Sequence, residues 1–255
     1  MRVFALSDIH IDYDANAQWI AQLSAHDYRD DVLILAGDVS DSLDQLRDCL
    51  HSLARRFKQV LYVPGNHDMW VRGQPALNSL DKFAQLQALT QDSGASMQPF
   101  HHGSLSIVPL LSWYDFSFGQ PSRELLERWM DFRSCRWPDA MQSGEVNTHF
   151  CDLNRPLLDI ENDVVISFSH FLPRIDLMPD YIPQAKRMLY PILGSDRLDT
   201  QVRQLKSRLH VYGHSHVNRR VVIDGVKYVN NAFGYPHETR IAAKKLVSVY
   251  DLAAA

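Results

Sequence analysis

The chain has 255 residues, 45% of them hydrophobic and 22% charged, which excludes a disordered tail, a collagen-like repeat and a small disulfide scaffold. A formal charge of −4 argues against a long polyanionic partner held by bulk electrostatics, so nucleic acid is not the expected ligand. Three cysteines at unpaired spacings (Cys49, Cys135, Cys151), no signal-peptide pattern and no apolar run of the roughly 20 residues that span a bilayer make a reduced, cytoplasmic protein without membrane contact the expectation.

A first strand is expected at 2–6, followed by a helix with Trp19, Ile20 and Leu23 on one side. Residues 31–36 are a short apolar run closed by Gly37 and Asp38, the pattern of a strand buried on both faces. Leu43, Leu46, Leu50, Leu53 and Phe57 recur at three- and four-residue steps, an amphipathic helix that Ser42 can cap. A strand at 60–63 closes on Pro64 and Gly65, and Leu80, Phe83, Ala84 and Leu86 mark a helix over 77–91. This alternation implies βαβ units and parallel pairing over the first 100 residues. Later strands are expected at 105–111, 164–168, 209–212, 219–223, 226–229 and 246–250, with Asp224-Gly225 as a tight hairpin turn. The segment 113–198, rich in Trp, Pro and Arg, has weak periodicity outside 164–168. It reads as loops and short helices inserted on the substrate side. The expected fold is α/β: one domain over 1–255, with two stacked mixed sheets and flanking helices.

The polar residues that carry chemistry follow strands directly. Asp8 and His10 follow the first, Asp38 and Asp41 the second, and Asn66, His67 and Asp68 the third. His170 ends the strand at 164–168, and His214 and His216 follow that at 209–212. Ligands of open α/β sheets bind at the carboxyl ends of strands. Two carboxylates, an amide and four imidazoles are too many donors for one catalytic divalent ion, and suit two ions sharing a carboxylate. The mix of His, Asp and Asn without thiolate suits Mn, Fe or Zn better than Ca or Mg.

Asp8-Ile9-His10, Gly37-Asp38-Val39-Ser40-Asp41, Gly65-Asn66-His67-Asp68, Ser169-His170 and Gly213-His214-Ser215-His216 together resemble the calcineurin-like metallophosphoesterases, with all five blocks in the family's order. The resemblance implies a four-layer α/β/β/α sandwich and two divalent metal ions. Asp8, His10 and His216 would hold the first ion, Asp38 would bridge the pair, and Asn66, His170 and His214 would hold the second. It also implies His67 as the catalytic histidine, protonated to assist the leaving group, and Asp41 as the acid that orients its ring. Attack would come from hydroxide bridging the metals, in line with the leaving oxygen of a small phosphate ester.

A diester is the expected substrate; a monoester or nucleotide pyrophosphate on the same site is the alternative. Ser42-Leu43 stand where the family's protein phosphatases have Arg-Gly, which argues against a phosphoprotein. A silent binding scaffold is the reading from another class, but scaffolds of this kind lose the catalytic histidine or several ligands, and here every position is filled. Singly, Asp8, Asp38 and Asn66 would pass for turn formers and His170 for a core histidine. The arginines 123, 128, 133 and 136 read as a solvated helix face rather than a phosphate clamp. Ser112-Trp113-Tyr114-Asp115-Phe116 reads as an aromatic-rich strand packing the core rather than a border of the substrate cleft, and His101, His102 and His237 as surface.

Overall fold

Alternation along β2 (Val32–Ala36) sets the layering. Val32, Ile34 and Ala36 point between two sheets, Leu33 and Leu35 face a helical layer, and all five are buried. The computed structural model describes residues 1–74 and 76–254. β2 lies between β1 (Arg2–Leu6) and β3 (Gln59–Val63), both parallel to it, and β10 (Val247–Asp251) adds antiparallel to β1. The second sheet runs β4 (Phe100–His102), β5 (Leu105–Pro109), β6 (Val164–Phe168), β7 (Leu209–Tyr212), β9 (Val226–Asn230), β8 (Arg219–Ile223). Its four middle strands are parallel and its two edges antiparallel.

Three helices cover the outer face of the first sheet: α1 (Asp14–Ala21), α2 (Leu43–Ala54) and α3 (Ser79–Asp92). Leu46, Leu50, Leu53 and Leu86 pack on Leu33, Leu35 and Tyr62. The 113–198 segment contributes α4 (Arg123–Arg128), α5 (Asp131–Ser134) and α6 (Ser143–Leu153) as well as β6. Beyond these, α7 (Asp196–Gln204) sets Leu198 and Val202 against Val165, Tyr212 and Tyr228 of the second sheet. The result is the expected α/β/β/α sandwich.

Local departures have local causes. The third helix starts at Ser79 because Asn78 caps it, accepting from the N–H groups of Leu80 and Asp81. The strand expected at 105–111 ends at Pro109; Leu111 N–H goes instead to Asn154 Oδ1 (2.9 Å). β4 is three residues long, too short to show a period, and holds His101 and His102 exposed at a sheet edge. Trp113 and Tyr114 are buried beside Phe171, as core rather than as strand. Arg123 and Arg128 pair within α4 with Glu127 and Glu124 and face solvent. Asp224 and Gly225 both adopt left-handed φ (47° and 82°), as a two-residue hairpin turn with the twist of its strands requires.

Candidate metal centre

Asp8, His10, Asp38, Asn66, His170, His214 and His216 converge where the carboxyl ends of β1, β2, β3, β6 and β7 meet. Backbone bonds lock the first two loops together: Asp8 N–H to Gly37 O (2.9 Å), His10 N–H to Asp38 O (3.0 Å) and Ile11 N–H to Val39 O (2.9 Å). Five of these residues, Asp8, His10, Asp38, His214 and His216, have φ between 43° and 63°. Non-glycine residues avoid this left-handed region at a cost of roughly 1–2 kcal/mol each, so strain is concentrated on the donor set. Gly65 is required by close approach: a Cβ there would lie 2.1 Å from Asp38 Oδ1.

The donors fall into two groups that share Asp38: Asp8, His10, Asp38 and His216 in one, and Asp38, His170 and His214 in the other, with candidate atoms in each within 4.8 Å of one another. Asn66 Oδ1 joins the second group, 3.1 Å from His170 Nε2. Within the groups, bare ring nitrogens face each other: His10 Nε2 and His216 Nε2 at 3.2 Å, His170 Nε2 and His214 Nδ1 at 3.1 Å. The far nitrogens of three rings are engaged, His170 Nδ1 by Ala36 O (2.9 Å), His214 Nε2 by Ile192 O (3.0 Å) and His216 Nδ1 by Glu238 Oε2 (2.6 Å). Those acceptors take the ring protons and turn the lone pairs inward, and His10 Nδ1 is buried with no partner among the described residues. A set of nitrogen and oxygen lone pairs converging in this way fits two divalent cations.

The electrostatics agree. Burial presses the His216 imidazole down, but Asp8 and Glu238 outweigh it and lift it to about 10. Burial would raise Asp8, yet His216 holds it well below the ordinary carboxylate range. Asp38, buried beside Asp8 and Asp68, is pushed well above that range. Burial and neighbouring histidines keep His10 and His214 neutral. Asp38 and His216 are thus the groups that would give up protons to cations, while Asp8, His10 and His214 already offer their lone pairs.

Three further carboxylates position the donors. Asp68 accepts four backbone N–H groups, from Asp38 (2.9 Å), Gly65 (2.8 Å), Val39 (2.8 Å) and Ser40 (3.0 Å), clamping the β2 and β3 loops together. Asp131 of α5 accepts from Asn66 Nδ2 (2.9 Å), Trp70 Nε1 (2.7 Å) and Trp129 Nε1 (2.7 Å). Glu238 orients His216. In Asp68→Asn, the new amide would face two of the four N–H donors with hydrogens of its own. At about 1–3 kcal/mol per orphaned buried donor, the melting temperature of the metal-free protein should fall by about 10 °C, as read by calorimetry. A fall under about 2 °C would show that the clamp carries little.

Beside the donors opens a cavity of about 330 Å³ lined by His10, Asp12, Tyr13, Asp41, His67, Trp70, Arg72, Met130 and Tyr235. Tyr235 stacks on His10 (4.5 Å between centroids), and Trp70 on His67 (3.8 Å). His67 is partly exposed to this cavity, with Nε2 3.9 Å from Asp38 Oδ2. Asp41 departs from its expected role. Its Oδ2 accepts from Arg72 Nε (2.8 Å) and Nη2 (2.5 Å), and among the described residues no hydrogen bond joins it to the His67 ring. The guanidinium offers two donors to one carboxylate oxygen, a stronger claim than a single imidazole N–H. His67 also differs in charge from expectation, since burial and the nearby His170 and His216 push it down to about 3.

Sequence reasoning did not single out Trp70, Arg72, Asp131, Tyr235 or Glu238, and quoted Asp68 without a role. Asp68 was findable as an acid inside the Gly65-Asn66-His67-Asp68 block. Asp131 opens the four-residue α5, too short to show a period, and Tyr235 and Glu238 lie in irregular segments, so only the fold brings them to the site.

Residues 1–218 match the family model described as calcineurin-like phosphoesterase. The chain is 26% identical over 265 residues to the acyl-carrier-protein phosphodiesterase PptH of Mycobacterium tuberculosis, covering 93% of this chain and 79% of that protein. It is 21% identical over 264 residues to an uncharacterized protein of Acanthamoeba polyphaga mimivirus, 91% of each being covered. The crystal structure of the Mycobacterium tuberculosis phosphopantetheinyl hydrolase PptH superposes with a TM-score of 0.82 at 23% identity, covering 100% of this chain and 98% of that one. The chain therefore belongs to the calcineurin-like phosphoesterase family, and is a metal-dependent phosphoric ester hydrolase.

Proposed function

We propose that this protein is a two-metal phosphodiesterase that cleaves the ester joining a phosphopantetheine arm to a carrier protein. The observation that carries this reading is the likeness to the acyl-carrier-protein phosphodiesterase, which covers 93% of the chain rather than the motif blocks alone. The substrate is then a small phosphate ester presented on a protein. The single domain would use its 113–198 segment, which supplies Met130 to the cavity wall, on the substrate side.

Asp8, His10 and His216 would hold one ion, Asn66, His170 and His214 the other, and Asp38 both. Mn, Fe or Zn suits this thiolate-free set. Bound there, two divalent ions supply an activated water nucleophile and neutralise phosphoryl charge. His67 faces the cavity, held by Trp70, where its ring N–H meets the leaving oxygen; the anionic ester supplies the counter-charge that raises this imidazole from its low free value. Asp131 keeps Asn66 in register, and Asp41 fixes Arg72 at the cavity mouth. Three free cysteines and a carrier-borne substrate suit the cytoplasm.

The test gives metal-stripped protein, reloaded with Mn, Fe or Zn, a carrier protein bearing the arm, with aryl phosphate monoester and diester as controls. Mass spectrometry should show the carrier losing phosphopantetheine, and chelator should abolish the loss. Cleavage of the aryl diester with the carrier intact would overturn the substrate. Cleavage of the monoester alone would overturn the diesterase reading.

A further inference from the structure

Arg72 is held more firmly than an exposed arginine needs. Lys82, fully buried, donates from Nζ to Asp41 O (2.6 Å) and to Trp70 O, tying together the two loops that flank Arg72. Trp70 is fixed by its Nε1 bond to Asp131 and by stacking on His67. The Arg72 guanidinium lies over that indole, 4.8 Å from its centroid, and gives Nε and Nη2 to one oxygen of Asp41. An indole platform below and a carboxylate at one edge fix the plane of the group.

Arg72 also lines the cavity beside the donors. Nη1, with two hydrogens, has no partner among the described residues, and the side chain is 51% exposed. Of the nine residues lining the cavity, Arg72 is the one with a permanent positive charge, and it shares the cavity with His67 and His10. The ordinary reading is a surface ion pair with Asp41 worth about 0–1 kcal/mol. Such a pair needs neither an indole platform nor a buried ammonium bracing both neighbouring loops. Nor does it explain an open donor edge beside the reacting centre.

We infer that Arg72 is a specificity-determining residue whose free Nη1 edge takes a second anionic group of the substrate, a carboxylate or a phosphate, beyond the ester being cut. The inference rests on the phosphodiesterase reading of the site. The scissile phosphate is served by the metal donors, so the arginine adds discrimination between diesters rather than general attraction. Asp41 is its positioning residue, which accounts for the loss of the expected Asp41–His67 pairing.

Binding tests this apart from turnover. A dialkyl phosphinate, with carbon in place of both ester oxygens, is not cleaved. It is titrated calorimetrically into metal-loaded enzyme in three forms: bare, with a pendant carboxylate and with a pendant phosphate. Native protein should bind a pendant-anion form at least tenfold more tightly than the bare one, and the better arm names the anion. Arg72→Met should bring that ratio within twofold of unity, and Arg72→Lys should keep part of it, with two metals per chain in all three proteins. No preference in the native protein, or an equal weakening of all three ligands in Arg72→Met, overturns the inference. A carrier protein left uncleaved while the ratio behaves as expected overturns only the proposed substrate.

Discussion

Asp38→Asn should abolish turnover and lower bound metal from two ions per chain. Asp38 is the one side chain in both donor groups, so its charge would serve both ions. An amide keeps one oxygen and no charge. Losing several kcal/mol of electrostatic stabilisation at a two-metal site corresponds to on the order of a thousandfold in kcat or more. Burial and the charges of Asp8 and Asp68 hold Asp38 well above the ordinary carboxylate range, so without cations its ionised form is costly. Metal binding must therefore release protons here, and affinity should rise with pH. Metal analysis with kcat on an aryl diester checks this; near-normal turnover with two ions bound would refute the shared-carboxylate site.

His67→Ala should leave two ions bound and still lower kcat by about 10²–10⁴. The ring borders the cavity, belongs to neither donor group and touches the substrate side through its stack with Trp70. Its absence should matter most for poor leaving groups, where protonation of the departing oxygen limits the rate. A series of aryl and alkyl diesters reads this as a steeper dependence of kcat on leaving-group pKa. A variant that loses metal instead would put His67 among the ligands.

The layers and the donor set were legible because they rest on short-range chemistry. Leu33 and Leu35 alternate with Ile34 and Ala36, and every donor follows an apolar run, so strand ends could be read directly from hydropathy. The partners of the donors were not legible. Glu238 meets His216 across 22 residues, and Asp131 meets Asn66 across 65, from segments with no period to reveal them. Asp41 shows the opposite failure: a position matching a motif was given the motif's role, and Arg72, outside every block, outcompeted it. The left-handed backbone of Asp8, His10, Asp38, His214 and His216 left no trace in composition, because none of these residues is glycine.

The spread of the donors along the chain also bears on biosynthesis. Asp8, His10, Asp38 and Asn66 emerge with β1, β2 and β3, but His214 and His216 follow β7, about 150 residues later. At roughly 5–20 residues per second, the early donors wait on the order of ten seconds for their partners, and β10, which completes their sheet, is made later still. A nascent chain in this interval lacks three of the seven candidate donors, His170, His214 and His216, so the full donor set is complete only once β7 has been made.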